Sequence, residues 1–341
     1  MRSDQAGLAV IAPLFRPAVM AAALAVATLL APALSARAAP GCEYAGLQEL
    51  PLEPSPNGHY IGVAGTINQQ PARLLLDTGA SVTVLTPQAV DNFKLARRAT
   101  DVSVEGAGGV SRLYRSTVQN MTIGPFNTGR LMLGVVKDMA PGLNYDVIVG
   151  SDLWMQADFE INMAEHWVRF FRAVGCDATA FLGYWDPAAK SVPLAYPYGD
   201  PRPHLKVRVN GTELDAIIDT GAPVTMVFSR AAQRIGLHPA DQSQATRGEG
   251  GGIGENRYQH YEASVTLQVG SESTPRTRLV VADTDGATRD YELLLGLDWL
   301  RSHRVLFANS QRKLYFSASA SAAAVPASAS APLPAPAPAT Q

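Results

Sequence analysis

Short apolar runs separated by glycine, proline and asparagine turns dominate the chain from about residue 59 to residue 316, a pattern of strands rather than of long helices. Tyr60-Ile61-Gly62-Val63-Ala64-Gly65 and Ala72-Arg73-Leu74-Leu75-Leu76 predict paired strands around the polar turn Asn68-Gln69-Gln70. The arrangement returns further on, where Leu205-Lys206-Val207-Arg208-Val209 and Leu214-Asp215-Ala216-Ile217-Ile218 flank Asn210-Gly211. That dipeptide accepts the left-handed backbone of a two-residue hairpin turn and is a strong hairpin signal. Each second strand runs into the same tetrapeptide, Asp77-Thr78-Gly79-Ala80 in one copy and Asp219-Thr220-Gly221-Ala222 in the other. A β-rich run follows both (81–85 and 223–227), then a short helix candidate (87–95 and 229–237), a glycine-rich stretch and further alternating strands.

Near the end of each copy comes an apolar run closed by glycine and followed by an acid: Val147-Ile148-Val149-Gly150-Ser151-Asp152 and Leu293-Leu294-Leu295-Gly296-Leu297-Asp298. From Asp77 to Asp219 the displacement is 142 residues, and from Gly150 to Gly296 it is 146. Two features displaced by nearly the same amount indicate an internal duplication. The final strands are Trp167-Val168-Arg169-Phe170-Phe171 and Lys313-Leu314-Tyr315-Phe316, and the Pro-, Gly- and Tyr-rich segment 177–203 reads as a linker. The expected fold is therefore all-β, with one lobe over 43–176 and a similar one over 204–316.

Composition bounds the rest. With 341 residues, 47% of them apolar, the chain can build two cores, and its formal charge of −2 gives no electrostatic reason to expect a nucleic acid partner. Arg2 and Arg16 precede an Ala- and Leu-rich run (18–34), and Ala36-Arg37-Ala38 offers a cleavage site, so 1–38 reads as an export signal, with a retained membrane anchor as the alternative. After its removal no other segment suits a membrane span. From 317 to 341 the chain is almost wholly Ala, Ser and Pro, a composition unable to offset its ordering entropy. The two cysteines, Cys42 and Cys176, can pair in an oxidising compartment; a lipid-anchored Cys42 is the rival reading, though Ala39-Pro40-Gly41 lacks the aliphatic residue usual before such a cysteine. His59, His166, His204, His238, His260 and His303 are scattered, without the helical spacing of a zinc hydrolase, and read as surface or strand histidines. No metal or cofactor is expected.

A single Asp-Thr-Gly is ordinary turn chemistry. Two copies, each led into and out of by apolar strands, place two carboxylates on tight turns of buried β-structure, where they need partners or a task. The arrangement resembles the pepsin and retropepsin superfamily of aspartic proteases, over roughly 59–172 and 204–316, with both retropepsin-like halves in one chain of bacterial type. The resemblance implies two closed β-barrel lobes in tandem, a pseudo-twofold cleft between them, and a monomer that is its own pseudo-dimer. It further implies Asp77 and Asp219 as the catalytic dyad, Thr78 and Thr220 hydrogen-bonded across the twofold axis, and Gly79 and Gly221 as glycines that let backbone approach the carboxylates. In retropepsins a glycine-rich flap from each half closes over substrate; Gly106, Gly108 and Gly109, with Gly250, Gly251 and Gly252, stand where such flaps belong. Asp152 and Asp298 are expected to act as structural hydrogen-bonding groups behind the loops, and Trp154, Trp167, Trp185 and Trp299 as core or interface residues. Ala80 and Ala222 replace the hydroxyl residue usual in pepsin-like enzymes, so a mildly acidic optimum is expected. The implied activity is an exported, periplasmic or secreted, endopeptidase acting on peptides or proteins; the alternative is a non-catalytic peptide-binding module of the same fold.

Overall fold

Burial alternates along the strand His204–Val209: Val207 and Val209 are buried and Lys206 and Arg208 exposed, so one face of this ribbon must meet a core. The neighbouring strands supply it. In order they are Thr212–Ile218, Leu293–Leu295, Met226–Phe228, Glu272–Ala282 and Tyr258–Val269, and the last pairs back onto the first through Val207↔Val269 and Val209↔Leu267, closing a barrel. The computed structural model describes residues 42–139, 143–238, 246–284 and 290–319, all within one compact unit. The expected export signal and the tail beyond residue 319 lie outside the described residues.

The first lobe repeats the ring with Ile61–Ile67, Gln70–Leu76, Val147–Val149, Val84–Leu85, Leu131–Val136 and Gly109–Val118, but returns to Ile61–Ile67 through a separate short strand, Met121–Ile123. The break falls at Gln119-Asn120, where the Asn68 side-chain oxygen accepts both backbone N–H groups, at 2.6 and 3.3 Å. Asn210 holds the second barrel in the same way, accepting from Thr266 N–H at 2.9 Å, but there the strand merely bulges between Val265 and Leu267. The barrel is thus closed in the second lobe and interrupted in the first. Both asparagines open two-residue turns with left-handed backbone: φ is 51° at Asn68 and 67° at Gln69, 50° at Asn210 and 84° at Gly211.

A third, six-stranded antiparallel sheet joins the lobes, in the order Glu43–Pro51, Trp167–Val174, Asp158–Asn162, His303–Ala308, Lys313–Ala318, Lys190–Pro193. Two corrections to the expected boundaries follow. The 177–203 segment is no free linker, because Lys190–Pro193 is an edge strand paired to Lys313–Ala318. The fold also runs past residue 316: the Trp185 indole N–H donates to Ser317 Oγ at 2.9 Å and Ser319 N–H to the Ser302 carbonyl, also at 2.9 Å. Cys42 and Cys176 are disulfide-bonded, tying the first strand of this sheet to the end of the second. Phe159, Phe170, Phe307 and Trp154 stack beneath the sheet, with Phe159 and Phe307 centred 4.5 Å apart. Glu160 is fully buried among these strands, and is held by Arg304 and by the Tyr184 hydroxyl.

Candidate active site

Parallel pairing sets the height of both acidic loops. Val149 lies beside Leu76 and Leu295 beside Ile218, so the chain leaves each strand next to an apolar-Gly segment, with Asp77 N–H donating to Val149 O (3.1 Å) and Asp219 N–H to Leu295 O (2.9 Å). The glycines closing those segments lead into single-turn helices, Ser151–Trp154 and Leu297–Arg301, which the sequence reading did not anticipate. Their first residues donate back into the loops, Ser151 N–H to Ala80 O and Leu297 N–H to Ala222 O, both at 2.8 Å. Asp152 accepts the Thr83 hydroxyl and Asp298 the Thr225 hydroxyl, each at 2.6 Å, and those hydroxyls in turn accept the N–H of Gly150 and Gly296. Asp152 and Asp298 thus brace the loops from behind.

The loops are also fastened to each other. Thr78 N–H donates to Thr220 Oγ1 (2.9 Å) and Thr220 N–H to Thr78 Oγ1 (3.0 Å). The Thr78 hydroxyl donates to Ile218 O (2.7 Å) and the Thr220 hydroxyl to Leu76 O (2.9 Å). Both threonines are buried, so these four bonds are shielded from water. They bring the loops so close that each glycine faces the carboxyl of the other lobe. A methyl group at Gly221 would stand 2.5 Å from Asp77 Cγ, and one at Gly79 would collide with the Asp219 carboxyl.

The two carboxyls are thereby set against one another, each packed on the glycine that follows the other lobe's Asp-Thr. Burial, and then the charge of Asp219, push the Asp77 carboxyl well above the ordinary range. Burial also raises Asp219, against the opposing pull of the Gly221 N–H, the Asp77 hydrogen bond, the Ala222 N–H and the charge of Arg202. Two buried carboxyls so close cannot both ionise easily, so they titrate as a pair that shares one proton. Ala80 N–H donates to Asp77 Oδ1 (2.9 Å) and Gly221 N–H to Asp219 Oδ1 (2.7 Å), fixing both side chains.

Three side chains that sequence reasoning passed over stand close to the dyad. Burial and then the charges of Asp77 and Asp219 push the Tyr60 hydroxyl up. Tyr291 is pushed up to about 12, chiefly by burial, with Asp219 adding to it. Arg202 lies with its guanidinium 5.0 Å from the centre of the Tyr291 ring. Tyr60 and Arg202 are separated by 142 residues, the displacement of the two acids, so superposing the copies would have found them.

Gly106 and Gly109 face each other at the tip of a hairpin formed by Arg97–Gly106 and Gly109–Val118. In the second lobe Gly250 pairs with Tyr258, and 251–257 forms a longer loop. The tips meet: Gly108 N–H donates to Ile253 O (2.8 Å), Asn256 N–H to Gly108 O (2.9 Å) and Gly254 N–H to Asp138 O (3.0 Å). Ile253 joins the apolar cluster of the first lobe to which Tyr60, Ala80 and Val104 also belong. Gly251 and Gly252 form the run leading into that contact.

A family model described as aspartyl protease matches residues 63–153 and 205–299, once in each lobe and over more than half of the chain. The chain belongs to the aspartyl protease family. A stretch of 103 residues is 30% identical to DNA damage-inducible protein 1 of Yarrowia lipolytica (strain CLIB 122 / E 150), covering 30% of this chain and 24% of that protein. The match thus spans about a quarter of that relative's length. The crystal structure of aspartic proteinase from Irpex lacteus superposes with a TM-score of 0.50 over 81% of this chain and 98% of that one, at 14% identity, a likeness of fold. In this chain Asp77 and Asp219 sit between the two lobes. Among the described residues no group of three or more His, Cys, Asp or Glu is placed to hold a metal ion, and no described helix is long and apolar enough to cross a membrane.

Proposed function

We propose that this protein is an aspartic endopeptidase whose catalytic dyad is Asp77 and Asp219. The observation that carries the reading is the pair of buried carboxyls, each packed against the other lobe's glycine, on loops that four buried threonine bonds hold in register. Such a pair divides the work of acid and base. Asp219 takes a proton from a water as its oxygen bonds to the scissile carbonyl carbon, and Asp77 gives its proton to the carbonyl oxygen. In the collapse of the resulting diol, Asp219 returns its proton to the leaving nitrogen as the C–N bond breaks, and Asp77 recovers one from the diol hydroxyl. No covalent intermediate forms on the enzyme.

The facing tips above the cleft support a role as flaps that cover a bound peptide. Export to the periplasm or beyond is proposed from the N-terminal sequence, and the Cys42–Cys176 bond is in keeping with it. With both acids in one chain, the enzyme works as a monomer on peptide or protein substrates. Since both carboxyls are raised, the optimum falls in mildly acidic solution. The test is cleavage of a random peptide pool from about pH 3 to about pH 8 by the mature protein, by Asp77→Asn and by Asp219→Asn, with mass spectrometry of the products. Loss of cleavage in both variants supports one shared dyad. Peptide binding without cleavage by the wild type would instead make the protein a binding module, and substantial activity in either variant would rule out the shared cleft.

A further inference from the structure

The duplication makes the scaffold of the dyad symmetric, yet the reaction proposed above needs one carboxyl to be acid and the other base. What distinguishes them must lie where the copies differ. At matching positions, each 17 residues before its acid, the first lobe has neutral Tyr60 and the second has Arg202. The Pro203 carbonyl accepts Ile218 N–H at 3.2 Å, which fixes the Arg202 backbone beside the strand that ends at Asp219.

The Arg202 side chain is gripped. Its Nε donates to Asp200 Oδ1 at 2.8 Å and its Nη2 to Asp200 Oδ2 at 2.6 Å, while Arg202 N–H reaches Oδ1 at 3.0 Å. The same Oδ2 lies 2.9 Å from His204 Nε2, and Tyr291 lies under the guanidinium. The two charged side chains are only 18% and 14% exposed, so solvent screens this ion pair weakly. The antiparallel register His204↔Ile217, continued through the Pro203 carbonyl and Ile218 N–H, sets Arg202 opposite Asp219, where its charge favours the ionised carboxylate. Asp77, Tyr60 and Tyr291 also feel the charge of Asp219, and none of the three is cationic; Asp200 bonds both the guanidinium and His204, and Tyr258 in turn feels Tyr60.

We infer that Arg202, gripped by Asp200, is a positioning residue that makes the dyad unequal, fixing Asp219 as the carboxylate that stays ionised and Asp77 as the carboxyl that keeps the proton. This rests on the dyad reading above. The charge stabilises the singly ionised dyad over the doubly protonated one, so it extends activity toward acid.

The test is the pH dependence of kcat/KM on one peptide substrate for wild type, Arg202→Gln, Arg202→Lys and Asp200→Asn. Arg202→Gln is expected to move the acid limb up by about one pH unit, roughly a tenfold loss on that limb, with KM little changed. Arg202→Lys restores most of the shift, because it keeps the charge and loses only the fork. Asp200→Asn removes the countercharge and moves the limb down, which decides the matter alone should Arg202→Gln not fold. An acid limb that stays put in these variants overturns the inference, as does a rise in KM with both limbs fixed, which would make Arg202 a substrate contact. Carboxyl ¹³C titration, assigned by difference from Asp77→Asn and Asp219→Asn, reads the same asymmetry without turnover: the earlier-ionising resonance belongs to Asp219 and moves up in Arg202→Gln. Cleavage that survives Asp77→Asn or Asp219→Asn brings down the dyad reading itself, a result independent of Arg202.

Discussion

Replacing Thr78 by valine isolates the bonds that hold the two lobes in register. Valine keeps the shape of the side chain and removes only the hydroxyl, which accepts Thr220 N–H at 3.0 Å and donates to Ile218 O at 2.7 Å. One N–H and one C=O of the opposite lobe are then left without these partners. Stranding a buried polar group costs about 1–3 kcal/mol, and two are stranded out of reach of water, so the expected loss is about 2–6 kcal/mol. Thr220→Val strands the mirror pair, Thr78 N–H and Leu76 O, and should cost the same within about 1 kcal/mol. Thr78→Ser keeps the hydroxyl and should retain most of the stability. Urea unfolding followed by tryptophan fluorescence suits the measurement, because Trp154 and Trp299 are buried on the helices behind the two loops and report on both lobes. A loss below about 0.5 kcal/mol, or markedly unequal losses in the two valine variants, would refute the view that the crossed threonines hold the lobes together.

Gln69→Gly should raise the melting temperature, relieving a left-handed residue (φ 67°) at a cost to L side chains of roughly 1 kcal/mol. Gly79→Ala should abolish cleavage in the peptide-pool assay, since its methyl group collides with the Asp219 carboxyl. Glu272 is held down to about 2 by the hydrogen bond from His303, with Lys190 assisting. Its contribution is complete above the unfolded carboxyl range and is lost as pH falls toward about 2; on the order of 2–3 kcal/mol of wild-type stability should disappear over that window, and Glu272→Gln should flatten this part of the profile in urea titrations at stepped pH. Reducing the Cys42–Cys176 bond, which spans 134 residues of sequence, should lower the urea midpoint by an amount equivalent to about 2–4 kcal/mol, checked with and without dithiothreitol.

The barrels and the acidic loops were legible because each is built from a local pattern that occurs twice: an alternating hairpin, an Asp-Thr-Gly turn, an apolar run closed by glycine. The interlobe sheet was not, because its six strands come from four separated parts of the chain and several lack a clean period. Glu43–Pro51 buries only Tyr44 fully, and Lys190–Pro193 sits inside a Pro- and Gly-rich segment that reads as linker until Lys313–Ala318 is found beside it. The helices Ser151–Trp154 and Leu297–Arg301 are each about one turn long, too short to show a helical period.

The residues around the dyad were missed for another reason. A search for repeats rewards positions where the copies agree, and those positions build the symmetric frame: the threonines, the facing glycines, the asparagines of the hairpin turns. A frame of that kind cannot by itself tell one carboxyl from the other. Hydrolysis needs the distinction at the moment water is deprotonated, so the informative positions are those where a shared backbone site carries unlike side chains. Ser151 donates its hydroxyl to Thr78 O at 2.7 Å, whereas Leu297, in the matching place, has no hydroxyl to offer. Tyr60 is neutral where Arg202 is charged, and the tip loop of the second lobe is the longer of the two. Each difference acts on one lobe alone. In a homodimer of single lobes the two acids would have identical surroundings; joining both halves in one chain lets the surroundings diverge, and the contrast between Tyr60 and Arg202 is where that divergence touches the proton.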